Sequence, residues 1–399
     1  MRNAKCEMRN EKCESGDSHF EFRISNFAIL FIVPGDVHRQ TGGSIYNRKL
    51  AESLIDRGFR VELASVPDLP YFFGLVAGLA ISPLLLFRIA CTSYDAVLLD
   101  GWAHPTTLLF NLVCRLFGRP RVVVIVHQVR WREMKPPARF ICRMAENLTM
   151  RPAQLIVTVS GFIRSEVERL VGSHKQIVVA PPGSALLSKP ISERDGKATA
   201  TQRLLFVGNC VHLKGLEHLI AAMGLLRDVP LSLDVVGDVN VERRYYDRLV
   251  KQVHGLNLSD RVTFHGAIPH EVLGDFYSRA DVFVFPSLYE GFGIVLAEAL
   301  HAGLPIVATR TGPIAEILSE GENALIVPIA DPTAFAGAIR RLAADHVMRK
   351  EFGRRSRELA VSLPTWRQTC DDVCDQIEFI CRTTPDKTQS MKRTPTQSP

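Results

Sequence analysis

Two glutamates eight positions apart, Glu290 and Glu298, bracket a glycine-bearing loop and the start of a helical pattern in ADVFVFPSLYEGFGIVLAEALHAGLPIVAT, residues 280–309. The apolar run ending at Pro286 predicts a strand, the loop carries Glu290, Gly291 and Gly293, and a helix begins at about residue 293. Glycines let backbone approach a ligand closely, and the unpaired N–H groups of a helix start, aided by its dipole, favour phosphate. One carboxylate lies on the loop and the other on the helix, so their spacing alone does not make them an acid/base pair. A carboxylate beside a phosphate site is suited to accepting hydrogen bonds from sugar hydroxyls. Capping or solvating a helix end is the other use open to both.

Other segments carry comparable chemistry. In VGNCVHLKGLEHLI, residues 207–220, Gly208 and Asn209 follow a strand and Lys214 precedes Gly215 at a helix start. A lysine aimed into a cleft can neutralise a departing diphosphate; a lysine solvated before a helix is the plainer reading. In PGDVHRQTGGSIYNRKLAESL, Thr41, Gly42, Gly43 and Ser44 form a turn into a helix, which serves either a ligand or an ordinary strand-to-helix connection. His127 closes the strand VVVIVH at its carboxyl edge, either beside a ligand or as a satisfied buried histidine. Ser160 in TVSGFIRSEV reads as a helix N-cap.

The elements that hold these residues alternate in type. FAILFIV (27–33), VELASV (61–66), AVLLD (96–100), VVVIVH (122–127), LIVTVS (155–160) and QIVVAPPG (176–183) are apolar runs separated by helical patterns near 44–57 and 105–117. Such runs imply parallel strands covered on both faces. A stretch rich in Ser, Pro, Ala and charge, 184–201, reads as a linker. A second series follows: RLLFVGN, LSLDVVGD, VTFHGAI, VFVFPS, PIVATR and ALIVP, again with helices between. The chain of 399 residues is therefore expected to be α/β, with two Rossmann-like, doubly wound domains facing a central cleft. The expected division is an extension at 1–25, a first domain at 26–183, the linker, a second domain at 202–362, a helix at 363–382 and a polar tail at 383–399.

Between Cys114 and Pro152 lie Arg115, Arg119, Arg121, Arg130, Arg132, Lys135, Arg139, Arg143 and Arg151 against only Glu133 and Glu146. This clustering gives local meaning to a net charge of only +6: an anionic membrane surface would fit it, and so would a solvated helix face. Without an interleaved aromatic platform, nucleic acid is not an expected partner. Nearby, LPYFFGLVAGLAISPLLLF (69–87) runs 19 residues without a charge. A membrane span, a monotopic apolar surface and a buried helix are all compatible with it. Nine scattered cysteines and a charged amino terminus fit a reduced, cytoplasmic protein, peripheral on the inner face of the cell membrane if the apolar and basic segments act together.

The E-x7-E spacing of Glu290 and Glu298 within that strand, glycine-bearing loop and helix resembles glycosyltransferase family 4, retaining enzymes of the GT-B fold that use nucleotide-sugar donors. The resemblance covers about residues 27–360 and is more specific in the second domain. It implies that Glu290 lies near the transferred sugar, that Glu298 binds the nucleotide ribose, and that the backbone of Gly293, Ile294 and Val295 holds the diphosphate. Gly208, Asn209 and Lys214 resemble the family's G-R-x4-K-G segment, with Asn209 where arginine is usual. Gly42, Gly43 and Ser44 are similar to the family's loop near diphosphate and acceptor. His127 resembles a histidine that contacts the donor sugar, with Gln128 in place of the usual aspartate. Pro182 stands where the family commonly has asparagine, while Gly183 keeps the turn. Glu316 in RTGPIAEIL is expected either to face the donor or to be an exposed helix carboxylate, and Arg310 is a candidate to replace the charge missing at Asn209.

No phosphate loop of the G-x4-G-K-[ST] type, dinucleotide fingerprint, H-E-x2-H or G-x-S-x-G elbow occurs, which removes support for kinase, dehydrogenase, zinc protease and α/β-hydrolase readings. The family implies no bound metal or cofactor. The expected function is transfer of a sugar from a nucleotide-diphosphate donor to a hydroxyl of a lipid-linked or glycan acceptor. A non-catalytic nucleotide-sugar-binding partner and a nucleotide-sugar epimerase are the rival readings.

Overall fold

The computed structural model describes residues 27–39, 41–117, 120–184 and 201–383. The expected extension at 1–25, nearly all of the linker and nearly all of the polar tail lie outside these residues.

The first half runs β1 (Ala28–Pro34), α1 (Gly42–Asp56), β2 (Arg60–Val66), α2 (Tyr71–Cys91), β3 (Ala96–Asp100), α3 (His104–Phe117), β4 (Arg121–Val126), α4 (Ala138–Met150), β5 (Leu155–Thr158), α5 (Gly161–Val171) and β6 (Ile177–Val179). The second runs β7 (Gln202–Val207), α6 (Leu216–Gly224), β8 (Leu231–Val236), α7 (Arg243–Gly255), β9 (Val262–Gly266), α8 (His270–Arg279), β10 (Val282–Phe285), α9 (Ile294–His301), β11 (Ile306–Thr309), α10 (Ile314–Ile317) and β12 (Ala324–Val327). Three helices close the chain: α11 (Pro332–Ala344), α12 (His346–Ser362) and α13 (Trp366–Arg382).

Each half builds one six-stranded sheet, ordered β2-β1-β3-β4-β5-β6 and β12-β11-β10-β7-β8-β9, with every pairing parallel. The central strands are mostly apolar because helices cover both faces. AVLLD in β3 and VFVF in β10 are buried throughout. Strand order reverses between β1 and β3 in the first sheet and between β7 and β10 in the second. Loops leaving the carboxyl ends of strands at such a reversal diverge and open a crevice. These are the loops that carry Gly42, Gly43, Lys214 and Glu290.

Helix α13 starts with a capping box between Thr365 and Gln368 and packs on α1. Arg57 reaches Asp371 (2.7 Å) and Asp375 (2.5 Å), and Thr369 donates to the Pro181 carbonyl. The turn at Gly183 has to be glycine here, since a Cβ would stand 2.1 Å from the Trp366 nitrogen.

Helix α2 is neither fully buried nor free. Tyr71, Gly74, Gly78, Ser82 and Leu85 face inward, and the two glycines bring it against Pro105 and Thr106 of α3. Its opposite face exposes Phe72, Phe73, Val76, Leu79, Leu84 and Phe87. By length and composition it is long and apolar enough to cross a membrane, yet one stripe packs on the protein. The basic segment also departs from an open cationic face. Arg132 holds Glu166 with two bonds of 2.7 and 2.8 Å, and the Arg130 guanidinium lies 4.9 Å over Trp102 and 5.5 Å over Tyr71.

Candidate active site

A lysine–glutamate cluster forms where the loops after β7 and β10 meet. Lys214 Nζ lies 2.5 Å from Glu290 Oε2, and the ammonium sits 5.6 Å over the Phe285 ring. Glu290 is 7% exposed, so an otherwise costly buried carboxylate is balanced by one lysine. The loops can approach because Gly215 takes φ +64° where a Cβ would collide with the Pro286 carbonyl. Gly293 takes φ +93° and ends the loop as the N-cap of α9. The amides of Ile294 and Val295 open the first turn of α9, where a helix provides no internal acceptor. Glu298, one turn further, accepts a 2.7 Å bond from the Tyr277 hydroxyl. Burial, with that carboxylate adding to it, holds the Tyr277 hydroxyl well above its ordinary titration range, so Tyr277 is a fixed donor that positions Glu298.

Gly208 and Asn209 lie against the loop after β8. A Cβ on Gly237 would overlap the Gly208 carbonyl, and Asn209 Oδ1 accepts from the Asp238 amide at 3.2 Å. Asn209 therefore uses its side-chain oxygen to join two loops. Arg310 does not replace the missing cation: it is exposed and paired with Glu320 at 2.7 Å.

Across the crevice, His127 Nε2 lies 3.0 Å from Asn47 Oδ1, and Asn47 Nδ2 donates to Asp100 Oδ2 at 2.5 Å. The Asn47 amide oxygen can only accept, which assigns the histidine proton to Nε2 and leaves Nδ1 bare. Burial lowers the His127 pKa and outweighs the opposing effect of Asp100, so the ring is neutral at physiological pH. Tyr46 packs edge-on against the ring with centroids 5.2 Å apart. Gly43 allows this approach, since a Cβ there would come within 3.1 Å of His127 Cδ2. Gly42 lies close to Ile294 of the opposite domain. Ser44 receives the Thr41 hydroxyl bond at 2.8 Å and donates its amide to Thr41, the N-cap of α1.

The two domains touch through their site loops. Gly291 abuts the His127 carbonyl, and its own carbonyl accepts from Ser160 Oγ at 2.8 Å. Ser160 also caps α5, as its sequence predicts. Glu316 turns to the first domain: it accepts from Gly161 N (2.9 Å) and Phe162 N (2.6 Å), capping a helix there. Asn47, Asp100, Tyr277 and the partners of Glu316 escape the sequence reading. Asn47 alone had an available signal, standing one turn after Gly43 on the same face of a helix that starts at the crevice.

Among the described residues, His104, Cys142 and Glu146 bring potential metal-ligand atoms within 4.8 Å of one another, all buried. Their bonds are otherwise used. Glu146 accepts from the amides of Arg130 (2.6 Å) and Trp131 (3.3 Å), while His104 lies between the Gly101 carbonyl (2.9 Å) and the Tyr71 hydroxyl (3.3 Å). The cluster props the loop that follows His127.

Two facing doubly wound domains, with a lysine–glutamate pair and a helix N-terminus on one wall and a histidine on the other, define the GT-B class of glycosyltransferase folds. Residues 188–359 match the family described as Glycosyl transferases group 1, and residues 56–183 match the Glycosyl transferase 4-like domain. The chain is 30% identical over 286 residues to a GDP-mannose-dependent alpha-(1-6)-phosphatidylinositol monomannoside mannosyltransferase of Mycolicibacterium smegmatis, covering 67% of this chain and 72% of that protein. It is also 30% identical to a D-inositol 3-phosphate glycosyltransferase of Pseudarthrobacter chlorophenolicus, covering 55% of this chain and 56% of that protein. The chain belongs to the group 1 glycosyltransferases of the family 4 type. It spans 53 to 59% of the length of three D-inositol 3-phosphate glycosyltransferases that it matches. Among solved structures, a sucrose-phosphate synthase from Thermosynechococcus elongatus has a TM-score of 0.76 at 23% identity, over 89% of this chain and 99% of that one. Anabaena Alr3699/HepE in complex with UDP and glucose has a TM-score of 0.70 at 19% identity, over 88% and 99%.

Proposed function

We propose that this protein transfers a sugar, with retention, from a nucleotide-diphosphate donor to an acceptor hydroxyl. The donor lies on the second domain and the acceptor enters from the first. The observation that carries this reading is the convergence of Lys214, Glu290 and the start of α9 opposite the neutral His127. As the glycosyl bond breaks, charge develops on the diphosphate, where Lys214 and the α9 amides can meet it. Glu290, and His127 through Nδ1, are suited to accept hydrogen bonds from sugar hydroxyls. The acceptor oxygen forms the new bond to the anomeric carbon on the face the diphosphate leaves. The acceptor proton passes to the departing diphosphate, so no protein nucleophile is required. Closure of the two domains excludes water that would hydrolyse the donor.

A lipid-linked or cell-surface glycan acceptor, on the inner face of the cell membrane, fits the exposed apolar face of α2. Phe140, Ile141 and Met144 of α4 are exposed as well, and Arg139 and Arg143 stand on the same helix. The name of the phosphatidylinositol monomannoside mannosyltransferase supports the same reading. The rival, a non-catalytic nucleotide-sugar-binding partner, draws on Asn209, whose side chain holds another loop and supplies no cation.

The test is nucleotide release from a panel of nucleotide sugars, with and without lipid extract, in wild type, Glu290→Gln and Lys214→Ala. Extract-dependent release that falls at least a hundredfold in both variants is expected. Binding of donors without release favours the non-catalytic partner, and an epimerised donor formed without acceptor favours the epimerase. For the membrane, Phe73→Ser with Val76→Ser and Leu79→Ser should release the protein from anionic vesicles; unchanged sedimentation refutes that location.

A further inference from the structure

Two loops, one from each domain, carry buried polar atoms that the donor chemistry leaves unused: Trp131 Nε1 and Glu133 Oε1 on one, Ser287 Oγ and the Tyr289 hydroxyl on the other. Glu133 follows the loop that begins at His127, and its Oε1 is buried without a hydrogen-bond partner. Tyr289 immediately precedes Glu290, and its hydroxyl is likewise buried with no acceptor for its proton. The Val129 amide approaches the tyrosine oxygen, and the ring stands edge-on to Phe162 of the first domain at 6.2 Å. Tyr289 thus reaches from the second domain into the first.

The neighbouring carboxylates already have donors. Glu146 holds the amides of residues 130 and 131, and Glu166 is bonded by Arg132 and Arg169. Glu133 has no ion pair among the described residues, although it lies within electrostatic reach of Arg130, of Tyr289 and of Glu242 in the second domain. Glu242 in turn accepts from the His212 amide, two residues before Lys214. Glu133 and Tyr289 therefore lie within electrostatic reach of each other, on loops next to the Lys214–Glu290 pair, without bonding to each other. Native proteins seldom leave buried polar atoms unpartnered, and a ligand that supplies the missing partners accounts for both.

We propose that Glu133 and Tyr289 clamp a polyhydroxylated acceptor ring, one hydroxyl donating to Glu133 Oε1 and a second accepting from the Tyr289 hydroxyl. The clamp rests on the transferase reading but names a specific part of it: the groups that select a polyol or sugar acceptor. Because one jaw belongs to each domain, it forms only when the domains meet. A ring with two free hydroxyls at suitable spacing satisfies both atoms, whereas a simple alcohol satisfies one. Selection of this kind comes from the penalty of leaving a buried group unpaired.

The variants Tyr289→Phe and Glu133→Met remove the unpartnered atoms with little change of volume. With myo-inositol and methyl α-mannoside as acceptor probes, each variant should raise the half-saturating probe concentration about tenfold. Each should also shift the partition between transfer and donor hydrolysis toward hydrolysis by a similar factor. Thermal midpoints should hold or rise, since each substitution removes an unsatisfied buried group. Unchanged half-saturation and partition in both variants overturn the clamp, and so does a lowered midpoint with proportionate loss of all activities, which marks a structural role. If wild type releases no nucleotide from any donor, the transferase reading fails separately. Ligand-observed NMR of the two probes with UDP or GDP present then decides the clamp: signals lost in both variants uphold it. Equal signals, or none with wild type, overturn it.

Discussion

Replacing Gly291 by alanine tests whether activity depends on contact between the two site loops. An added Cβ would stand 2.0 Å from the His127 carbonyl oxygen and 2.9 Å from Gln128 Cγ. Heavy atoms of a packed interior do not approach so closely, so the loop and the first domain must separate by about 1 Å. Ser160 Oγ, 2.8 Å from the Gly291 carbonyl, then passes out of hydrogen-bond range. That bond is worth about 1 kcal/mol. Weakening of the half-exposed contacts of Glu316 with α5 adds about 1 kcal/mol more. The closed arrangement therefore loses about 2 kcal/mol, roughly thirtyfold in its population. Gly291 is not among the positive-φ glycines, so alanine suits its backbone and restricts the unfolded chain, which stabilises by about 0.4–1 kcal/mol. The expected signature is kcat/KM for transfer down ten- to thirtyfold, a larger radius of gyration by small-angle scattering, and a thermal midpoint that holds or rises. Gly274→Ala, where a Cβ meets nothing within 4 Å, is the control. Transfer within twofold of wild type at an unchanged radius of gyration would refute the reasoning.

Other contacts make similar commitments. Glu316→Ala removes the acceptor of two amides at the start of α5 and should open the domains by about 1 kcal/mol, seen as a several-fold weaker donor affinity by calorimetry that added salt makes smaller. Donor affinity equal to wild type at low salt would show that Glu316 does not couple the domains. Burial raises Glu146 and Glu133 from their ordinary 4.5 to about 7. The native state thus holds protons that the unfolded chain releases, so this stability is fully present below pH 4.5 and lost as pH rises through 7. For the fully buried Glu146 the loss is on the order of 3 kcal/mol. In Glu146→Gln only Glu133 keeps the effect, so the fall in urea midpoint between pH 5 and 7.5 should be about half that of wild type; parallel falls would contradict it.

Much of the fold was legible because both sheets are covered on both faces. Burial on both sides demands continuous apolar runs, and runs such as AVLLD and VFVF announce themselves without context. The loops after β7 and β10 were legible for the same local reason, since Gly293 and Gly215 mark backbone that other residues rarely adopt. What escaped was pairing at a distance. Glu316 meets Gly161 across 155 positions, and nothing in RTGPIAEIL distinguishes a cross-domain cap from an exposed carboxylate. The basic segment misled in a related way: a count of charges does not show that Arg132 is bound to Glu166 or that Arg130 lies over Trp102 and Tyr71.

The substitution at Asn209 is where sequence and structure join most usefully. With one cation absent and Arg310 turned to Glu320, Lys214 is the basic side chain that the loops after β7 and β10 place beside Glu290. That lysine is paired with a carboxylate 2.5 Å away. On the proposed reading a diphosphate must draw Lys214 from Glu290, and the same step frees Glu290 to receive a sugar hydroxyl. Binding of the two halves of the donor is then coupled, because neither residue can serve its half while paired with the other. A nucleotide without its sugar leaves Glu290 buried and unpaired once Lys214 has moved, whereas the intact nucleotide sugar satisfies both groups. The chain should therefore discriminate between nucleotide sugar and free nucleotide diphosphate more sharply than Glu290→Gln, in which Lys214 leaves no buried charge behind when it turns to the diphosphate.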